Sequence, residues 1–192
     1  MTRDQILDAA AQIFSQKGFH AASMADIAEA VNLQKASLYH HVSSKQEILL
    51  AILDRALDLL IERLSAVQSA QMPPEEKLRQ VMKTYLETLA EHQDLAAVLL
   101  LEHRSLEPEF REVHIPRRDR FERIWKELIQ EGQERGVFSC ADPGLAARAL
   151  LGVMNWTITW YRADGPLSAA EIADRFADLF LNGLIPCDGS IE

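Results

Sequence analysis

The chain has 192 residues and carries 29 acidic against 20 basic side chains, a formal net charge of −9. Hydrophobic residues make up 48% and charged residues 26%, a globular composition that excludes disordered and fibrous classes. The length fits one domain, or two small ones, with room for a buried core. Taken over the whole chain, this net negative charge argues against a nucleic-acid partner.

Three features predict a cytoplasmic protein. The two cysteines, Cys140 and Cys187, are too few for a disulfide framework and suit a reducing compartment. No apolar run follows Arg3, so we expect no signal peptide. The longest apolar stretch, 145–161, is interrupted by Arg148 and predicts a buried helix rather than a membrane span.

The first predicted helix begins at Thr2, a capping residue, and ends at Lys17 and Gly18. A second helix begins at Ser23, which forms an S-x-x-D capping box with Asp26, and ends near Ala30. A third, short helix covers about residues 34–41, after a tight turn. Apolar contact between the second and third helices is assigned to Ile27, Val31 and Leu38.

This pair of short helices fits a helix-turn-helix, whose second helix enters the major groove of DNA. A plain helical hairpin in a bundle is the other interpretation. The third helix concentrates side chains that commonly donate to phosphate oxygens: Lys35, Ser37, Tyr39, His40 and His41. Ser43, Ser44 and Lys45 add a cap, backbone N–H groups and a cation, again an arrangement suited to phosphate.

Longer helices are predicted after residue 45. An apolar stripe at helical spacing runs from 49 to 67, and Pro73 with Pro74 begins the next helix. A further helix ends near Gly136, an apolar one opens at 142–143, and Ser168 caps the last. No segment alternates like a strand, so the sequence predicts an all-α fold of about nine helices: an N-terminal three-helix helix-turn-helix domain and a larger helical domain, joined by a long helix.

The first ~50 residues resemble the DNA-binding domain of the tetracycline-repressor (TetR) family of transcriptional regulators. The segments that carry the resemblance are ILDAAAQIFSQKGF, SMADIAEAV and SLYHHV-SSKQEIL, in the family's order and spacing. The resemblance implies a DNA-binding domain at 1–45, a ligand-binding and dimerisation domain at 46–192, and a homodimer formed by the last two helices. The residues assigned to DNA binding are Ser23, Lys35, Ser37, Tyr39, His40 and Lys45.

Three positions depart from the family pattern. Asn32 stands where a turn glycine is common, and it can adopt the same backbone shape. Gln34 replaces the usual Ser or Thr cap of the recognition helix, and Ala25 replaces a frequent Arg or Lys.

In the larger domain, Trp156 and Trp160 lie about one turn apart, with Asn155 nearby. One interpretation places them in the core and a dimer seam; the other has them wall a ligand pocket, which Tyr85 and Trp125 complete. The candidate ligand-binding residues are Tyr85, Trp125, Trp156 and Trp160. The C-terminal tail resembles TetR-type regulators that answer to acyl-coenzyme A thioesters or other lipophilic acids. The residues of the final helix assigned to dimerisation are Ile172, Phe176, Leu179 and Phe180.

The basic run 117–123 is interpreted as a solvated helix start paired with Glu122 and Glu127, with an anionic ligand as the alternative. No histidine stands at metal-ligand spacing and no nucleophile or nucleotide motif occurs, so we predict neither metal nor cofactor, and no enzyme. The sequence predicts a repressor that binds a palindromic operator in double-stranded DNA and is released by a small lipophilic or acyl-coenzyme A effector. Two alternatives are a helical protein-interaction module without DNA binding and an all-α enzyme using the tryptophan pocket.

The net charge divides unevenly along the chain. Residues 1–50 hold four basic and five acidic side chains, so nearly all of the excess acid lies in the predicted ligand and dimer domain. The overall charge therefore does not exclude DNA binding. With few cations per subunit, affinity should depend on dimerisation.

Overall fold

The computed structural model describes residues 2–184, and every regular element in that range is helical. Cys187 lies outside the described residues. The nine α-helices of this range are α1 (Arg3–Lys17), α2 (Met24–Ala30), α3 (Lys35–Leu38), α4 (Lys45–Gln68), α5 (Pro74–Glu91), α6 (Gln93–Ala97), α7 (Pro108–Glu134), α8 (Pro143–Trp156) and α9 (Ala169–Leu184). A π-helical turn (Val98–Glu102) and two 3-10 turns (His103–Ser105 and Thr157–Thr159) complete them. The all-α prediction is confirmed.

Local capping sets the helix starts. At α2, the Asp26 N–H donates to Ser23 Oγ (3.1 Å) and the Ser23 N–H donates to Asp26 Oδ2 (2.8 Å), which closes the predicted capping box. The same reciprocal bonds form at α1 and α9, between the pairs Thr2–Gln5 and Ser168–Glu171. Gly18 ends α1 at φ 79°, a conformation that a side chain would strain.

Two compact units divide the chain. One contains the residues up to Leu59 together with His92–Arg118, and the other contains Leu60–Glu91 together with the described residues from Asp119 onwards. Helices α4 and α7 each run from one unit into the other. The functional boundary between residues 45 and 46 stays a prediction.

In the first unit, α1 contacts α2 and α6, and α2 contacts α3. The predicted apolar contact is buried, since Ile27 and Leu38 are 0% exposed and Val31 is 6% exposed. Asn32 takes φ 54°, the conformation expected of it in the turn. Helix α3 is shorter than predicted: Gln34 contributes no side-chain cap and residues 39–41 form a turn.

In the second unit, α5 contacts α9, and Arg79 of α5 donates to Asp178 Oδ1 of α9 at 2.6 Å. The assignment of Ile172 to a dimer seam is wrong, because this side chain is 4% exposed within its own chain. An amphipathic helix needs one face for its own core, and Ile172 lies on that face of α9. Leu179 is 66% exposed and lies on the other.

The basic run 117–123 lies inside α7 and does not start a helix. The helix already begins at Pro108 and continues through Pro116. Arg117 bonds the carboxylates of Asp54 and Asp58 on α4, rather than a glutamate of its own helix. In the part of the chain that the structure describes, we find no helix with the length and apolar character needed to cross a membrane.

Candidate functional site

The polar side chains of α3 and the turn after it face solvent. Lys35 and His40 are exposed, Tyr39 is 47% exposed and Ser37 is half-buried. None of these four side chains has a hydrogen bond or an ion pair to another residue of the described chain. Leu38, between them, is fully buried and holds the segment in place. The donors predicted to contact DNA from α3 are therefore all available to an external partner.

Ser23 is exposed as well, but its hydroxyl already forms hydrogen bonds within the chain. It donates to Asp26 Oδ2 at 2.6 Å while accepting the Asp26 N–H. Lys17 Nζ lies 2.8 Å from Asp26 Oδ1, and this bond, followed by those from Ser23, holds the pKa of the Asp26 carboxyl well below its usual range. A phosphate contact by the Ser23 hydroxyl would compete with these bonds, so its role in DNA binding stays a prediction.

Lys45 points its ammonium into the chain. Nζ lies 2.7 Å from the carbonyl oxygen of Phe19, 2.7 Å from that of Ala22 and 3.5 Å from that of His20. It also lies 4.4 Å from the centre of the Phe19 ring, within range of a cation–π contact. An ammonium has three N–H donors, so a phosphate contact would have to displace carbonyl partners. The assignment of Lys45 to phosphate binding stays a prediction that this geometry does not favour.

A carboxylate occupies the start of α4. Glu47 Oε2 accepts the Ser43 N–H (2.7 Å) and the Ser43 hydroxyl (2.6 Å), and Ser44 Oγ accepts the Glu47 N–H (3.1 Å). The bonds from Ser43, aided by Arg3 at 3.1 Å, lower the pKa of Glu47. Because Glu47 of the same chain binds the Ser43 groups, the sequence-based interpretation of Ser43 and Ser44 as groups arranged for phosphate stays a prediction that this geometry does not favour.

One of the four Lys and Arg side chains near the N-terminus has no intrachain partner among the described residues. Among described residues 2–50, Arg3 pairs with Glu47, Lys17 pairs with Asp26 and Lys45 bonds carbonyl oxygens. Lys35 alone of the four cations in that range has no such partner. A DNA backbone contact by this surface would thus add few released counterions.

The second unit contains a buried aromatic cluster, formed by Tyr85 of α5 with Phe121 and Trp125 of α7. The Tyr85 and Trp125 rings meet edge to face with centroids 5.4 Å apart, and the Phe121 centroid lies 5.9 Å from Tyr85 and 6.3 Å from Trp125. The Tyr85 hydroxyl donates to Asn155 Oδ1 of α8 at 2.6 Å. Burial raises the pKa of Tyr85, so the phenol stays neutral.

Trp156 and Trp160 are not gathered with this cluster. They are 66% and 45% exposed, whereas Tyr85 and Trp125 are 0% exposed. Helix α8 buries its other face, and Trp156 continues an exposed small and apolar face whose other members are Leu145, Ala149, Gly152 and Val153. The exposure of Trp156 and Trp160 therefore favours a place in a dimer seam over a place in the wall of a ligand pocket. Phe121, which the sequence did not assign to the site, could have been found from its i, i+4 spacing to Trp125.

No sequence pattern predicts the long-range polar contacts of the first unit. His114 is 5% exposed and its Nδ1 lies 2.8 Å from Asp54 Oδ1. Gln46 Nε2 donates to the Ser105 carbonyl at 2.9 Å. These partners are about 60 residues apart in the chain. Nothing in their spacing indicates that they bind each other.

Other chemistry is sparse in the described part of the chain. Residues 2–184 contain no group of three His, Cys, Asp or Glu side chains placed to hold a metal ion. Cys140 is a free, half-buried thiol, and burial together with Asp142 raises its pKa, which disfavours a reactive thiolate.

Family models match most of the chain. Residues 6–52 match the family described as bacterial regulatory proteins, tetR family, and residues 71–184 match the tetracyclin repressor-like C-terminal domain. The transcriptional repressor KstR2 of Mycobacterium tuberculosis is 28% identical over 184 residues, which cover 95% of this chain and 92% of KstR2.

Solved structures are similar over nearly the whole length. The TetR family regulator PfmR of Thermus thermophilus has a TM-score of 0.86 and 40% identity, covering 95% of this chain and 100% of PfmR. AibR, solved with isovaleryl coenzyme A and operator DNA, has a TM-score of 0.83 and 30% identity, covering 96% of this chain and 98% of AibR. These matches give no support to an interaction module without DNA binding. The chain belongs to the TetR family of DNA-binding transcriptional regulators.

Proposed function

We propose that this protein is a homodimeric repressor that binds a palindromic operator through α2 and α3 and leaves it when a small effector binds. The observation that carries the DNA-binding half is the set of solvent-facing donors without intrachain partners on α3 and in the turn after it, inside the segment that matches the tetR family model. Lys35, Ser37, Tyr39 and His40 are the proposed contacts, together with Ser23 at the start of α2. Lys45 would act mainly by holding α4 to the loop after α1.

The exposed face of α8 supports the homodimer. Leu145, Val153 and Trp156 are 62%, 39% and 66% exposed, an unusual amount of large apolar surface for one short helix. Leu179 adds a similar side chain on α9. A two-fold dimer would then require operator half-sites about 34 Å apart, or a multiple of that distance.

The proposal that a small effector binds this protein rests on the aromatic cluster and on two relatives. AibR was solved with isovaleryl coenzyme A, and a relative in Bacillus subtilis is named a fatty acid metabolism regulator. We propose an acyl-coenzyme A thioester or a similar lipophilic compound as the effector, bound at Tyr85 and Trp125. Trp156 and Trp160 would contribute only if a partner chain covers them. A regulator of this kind would act in the cytoplasm and needs no catalytic group.

In vitro selection tests the DNA-binding half. Purified full-length protein is incubated with random double-stranded DNA, bound molecules are amplified, and the affinity for the enriched sequence is measured by fluorescence anisotropy against a scrambled control. We expect an inverted repeat that binds at least tenfold more tightly than the control. Failure to enrich any sequence at low salt, or equal affinity for the scrambled DNA, would contradict the proposal.

Light scattering after size exclusion tests the dimer. Trp156→Glu places a charge in the exposed apolar face and should convert a wild-type dimer to monomer. Arg162→Glu, at another exposed position of the same unit, is the matched control and should remain dimeric. A monomeric wild type, or a dimeric Trp156→Glu variant, would argue against this seam.

A further inference from the structure

Trp125 carries a buried hydrogen-bond donor that nothing in the described chain accepts. The residue is 0% exposed, and its Nε1 is one of two buried side-chain polar atoms without a partner among the described residues, the other being Glu75 Oε2. Buried N–H groups in proteins almost always have an acceptor, because desolvating one without compensation costs stability. This N–H is a point at which the folded chain can gain a hydrogen bond from a bound molecule.

The neighbours of Trp125 do not compete for that bond. Tyr85 has its proton committed to Asn155, and the Tyr85 and Phe121 rings that meet the indole supply apolar surface. An edge-to-face ring contact holds the indole plane in a fixed direction. The donor is therefore oriented in advance, which lowers the entropic cost of using it.

The cluster also lacks charge. Its members are Tyr85, Phe121, Trp125 and Asn155, and none of the ion pairs of the described chain involves them. A carboxylate buried against these four side chains would lose its hydration without gaining a counter-ion. An uncharged oxygen acceptor would lose far less hydration free energy on burial, and it would accept the hydrogen bond of the indole N–H.

We propose that the effector presents an uncharged carbonyl oxygen, of a thioester, ester or ketone, to the Trp125 N–H, with its apolar chain against the Phe121 and Tyr85 rings. This inference rests on the proposed effector site and sharpens it. It assigns Trp125 as the residue that selects a neutral carbonyl over a free carboxylate. Any charged part of the effector lies outside the aromatic cluster.

Matched probes test the carbonyl contact. Acyl-coenzyme A thioesters with straight chains of several lengths are compared with the S-alkyl-coenzyme A thioethers that lack only the carbonyl oxygen. Methyl ketones, methyl esters and free carboxylates of the same chains complete the set. Calorimetry with the full-length wild type should show thioester binding about tenfold tighter than thioether binding, which corresponds to one neutral hydrogen bond. Free carboxylates should bind most weakly.

Trp125→Phe removes the N–H and keeps an aromatic ring. We expect this variant to bind the thioether as the wild type does and to lose the tenfold preference for the thioester. A preference that survives in Trp125→Phe, equal binding of the two probes to the wild type, or wild-type binding by none of the neutral probes would each overturn the proposal.

A second readout does not depend on the variant folding well. In the wild type labelled with ¹⁵N-tryptophan, the Trp125 indole N–H resonance should move downfield with thioester, ester or ketone and stay in place with thioether. Movement with both probes, or with neither, contradicts the assigned contact. Operator selection on the same protein separates the two proposals, since DNA binding can succeed when the carbonyl contact fails.

Discussion

Around α3, eight polar side chains bind other parts of the chain, whereas four on α3 and in the turn after it bind none. We refer to the first set as the frame, made of the side chains of Arg3, Lys17, Ser23, Asp26, Ser43, Ser44, Lys45 and Glu47. The second set is Lys35, Ser37, Tyr39 and His40. Lysine and serine occur in both sets, which lie within one stretch of 45 residues.

The difference teaches that residue type alone does not identify a DNA contact. A lysine in the frame, Lys45, stabilises the fold through carbonyl oxygens, while a lysine on α3, Lys35, has no intrachain partner. Substitutions in the frame should therefore change stability, and substitutions on α3 should change DNA binding. Four predictions test that division, from the largest expected effect to the smallest.

Leu38→Ala should affect both regions. Leu38 is 0% exposed and is the buried residue of a four-residue helix that has no side-chain cap, so little else fixes α3. We expect a loss of about 2–5 kcal/mol in the free energy of unfolding, measured by urea denaturation, together with loss of operator binding. Leu101→Ala, at a position 57% exposed in the same unit, should change stability by less than about 0.5 kcal/mol. Equal effects of the two substitutions would show that α3 does not depend on this contact.

Lys45→Met should behave as a frame substitution. It removes two charge-assisted hydrogen bonds of 2.7 Å and leaves the Phe19 and Ala22 carbonyls unsatisfied, which we expect to cost about 1–3 kcal/mol in urea denaturation. If Lys45 binds only these carbonyl oxygens in the DNA complex as well, the slope of log K for operator binding against log salt concentration should stay at its wild-type value. A shallower slope with unchanged stability would assign Lys45 to the DNA backbone instead.

Lys35→Met makes the same chemical change on α3 and should give the opposite result. Stability should change by less than about 0.5 kcal/mol, since this ammonium has no intrachain partner. The slope of log K against log salt should become shallower by about 0.9 for each phosphate that is no longer neutralised, hence by about 1.8 for a dimer. Anisotropy titrations at several salt concentrations measure it. An unchanged slope would remove Lys35 from the proposed interface.

Asp26→Asn should show the smallest effect and a defined pH dependence. The pKa of this carboxyl is lowered in the folded chain, mainly by the bond from Lys17, so the carboxylate stabilises the fold above the unfolded pKa of about 3.9. That contribution is lost as the pH falls below that value and towards the lower pKa of the folded chain, where the group becomes protonated. The stability difference between wild type and Asp26→Asn in urea should therefore be larger at pH 7 than at pH 3. A difference that stays the same at both pH values would contradict the ion pair.

Helix starts were predictable because capping acts over three residues. Thr2, Ser23 and Ser168 each form the expected cap, and the apolar spacing located the helices that follow. The end of α3 was not predictable to the same degree, since Gln34 offers no cap and a short helix can fray into a turn. The basic run 117–123 was wrongly predicted to start a helix, because local charge does not show that α7 already begins at Pro108 and continues through Pro116.

The candidate ligand site shows that local sequence pattern does not predict which aromatic side chains are buried together. The sequence placed Tyr85, Trp125, Trp156 and Trp160 in one group because all four lie on apolar helices, yet only the first two are buried together. A helix with apolar residues on several sides does not indicate which side meets its own core. Exposure separated Trp156 and Trp160 from the cluster between α5 and α7.

By itself, the sequence determined the helical class, the capped starts of the helices, the helix-turn-helix segment and the family, because each depends on neighbours a few residues apart or on the order of short segments. Tertiary structure alone decided which polar groups remain available. The carbonyls that bind Lys45 are 23 and 26 residues away, and Tyr85 reaches Asn155 across 70 residues. Hydrogen-bond partners at such separations are set by how the helices pack, and that packing commits the ammonium of Lys45 while leaving Lys35 and the Trp125 N–H without a partner among the described residues.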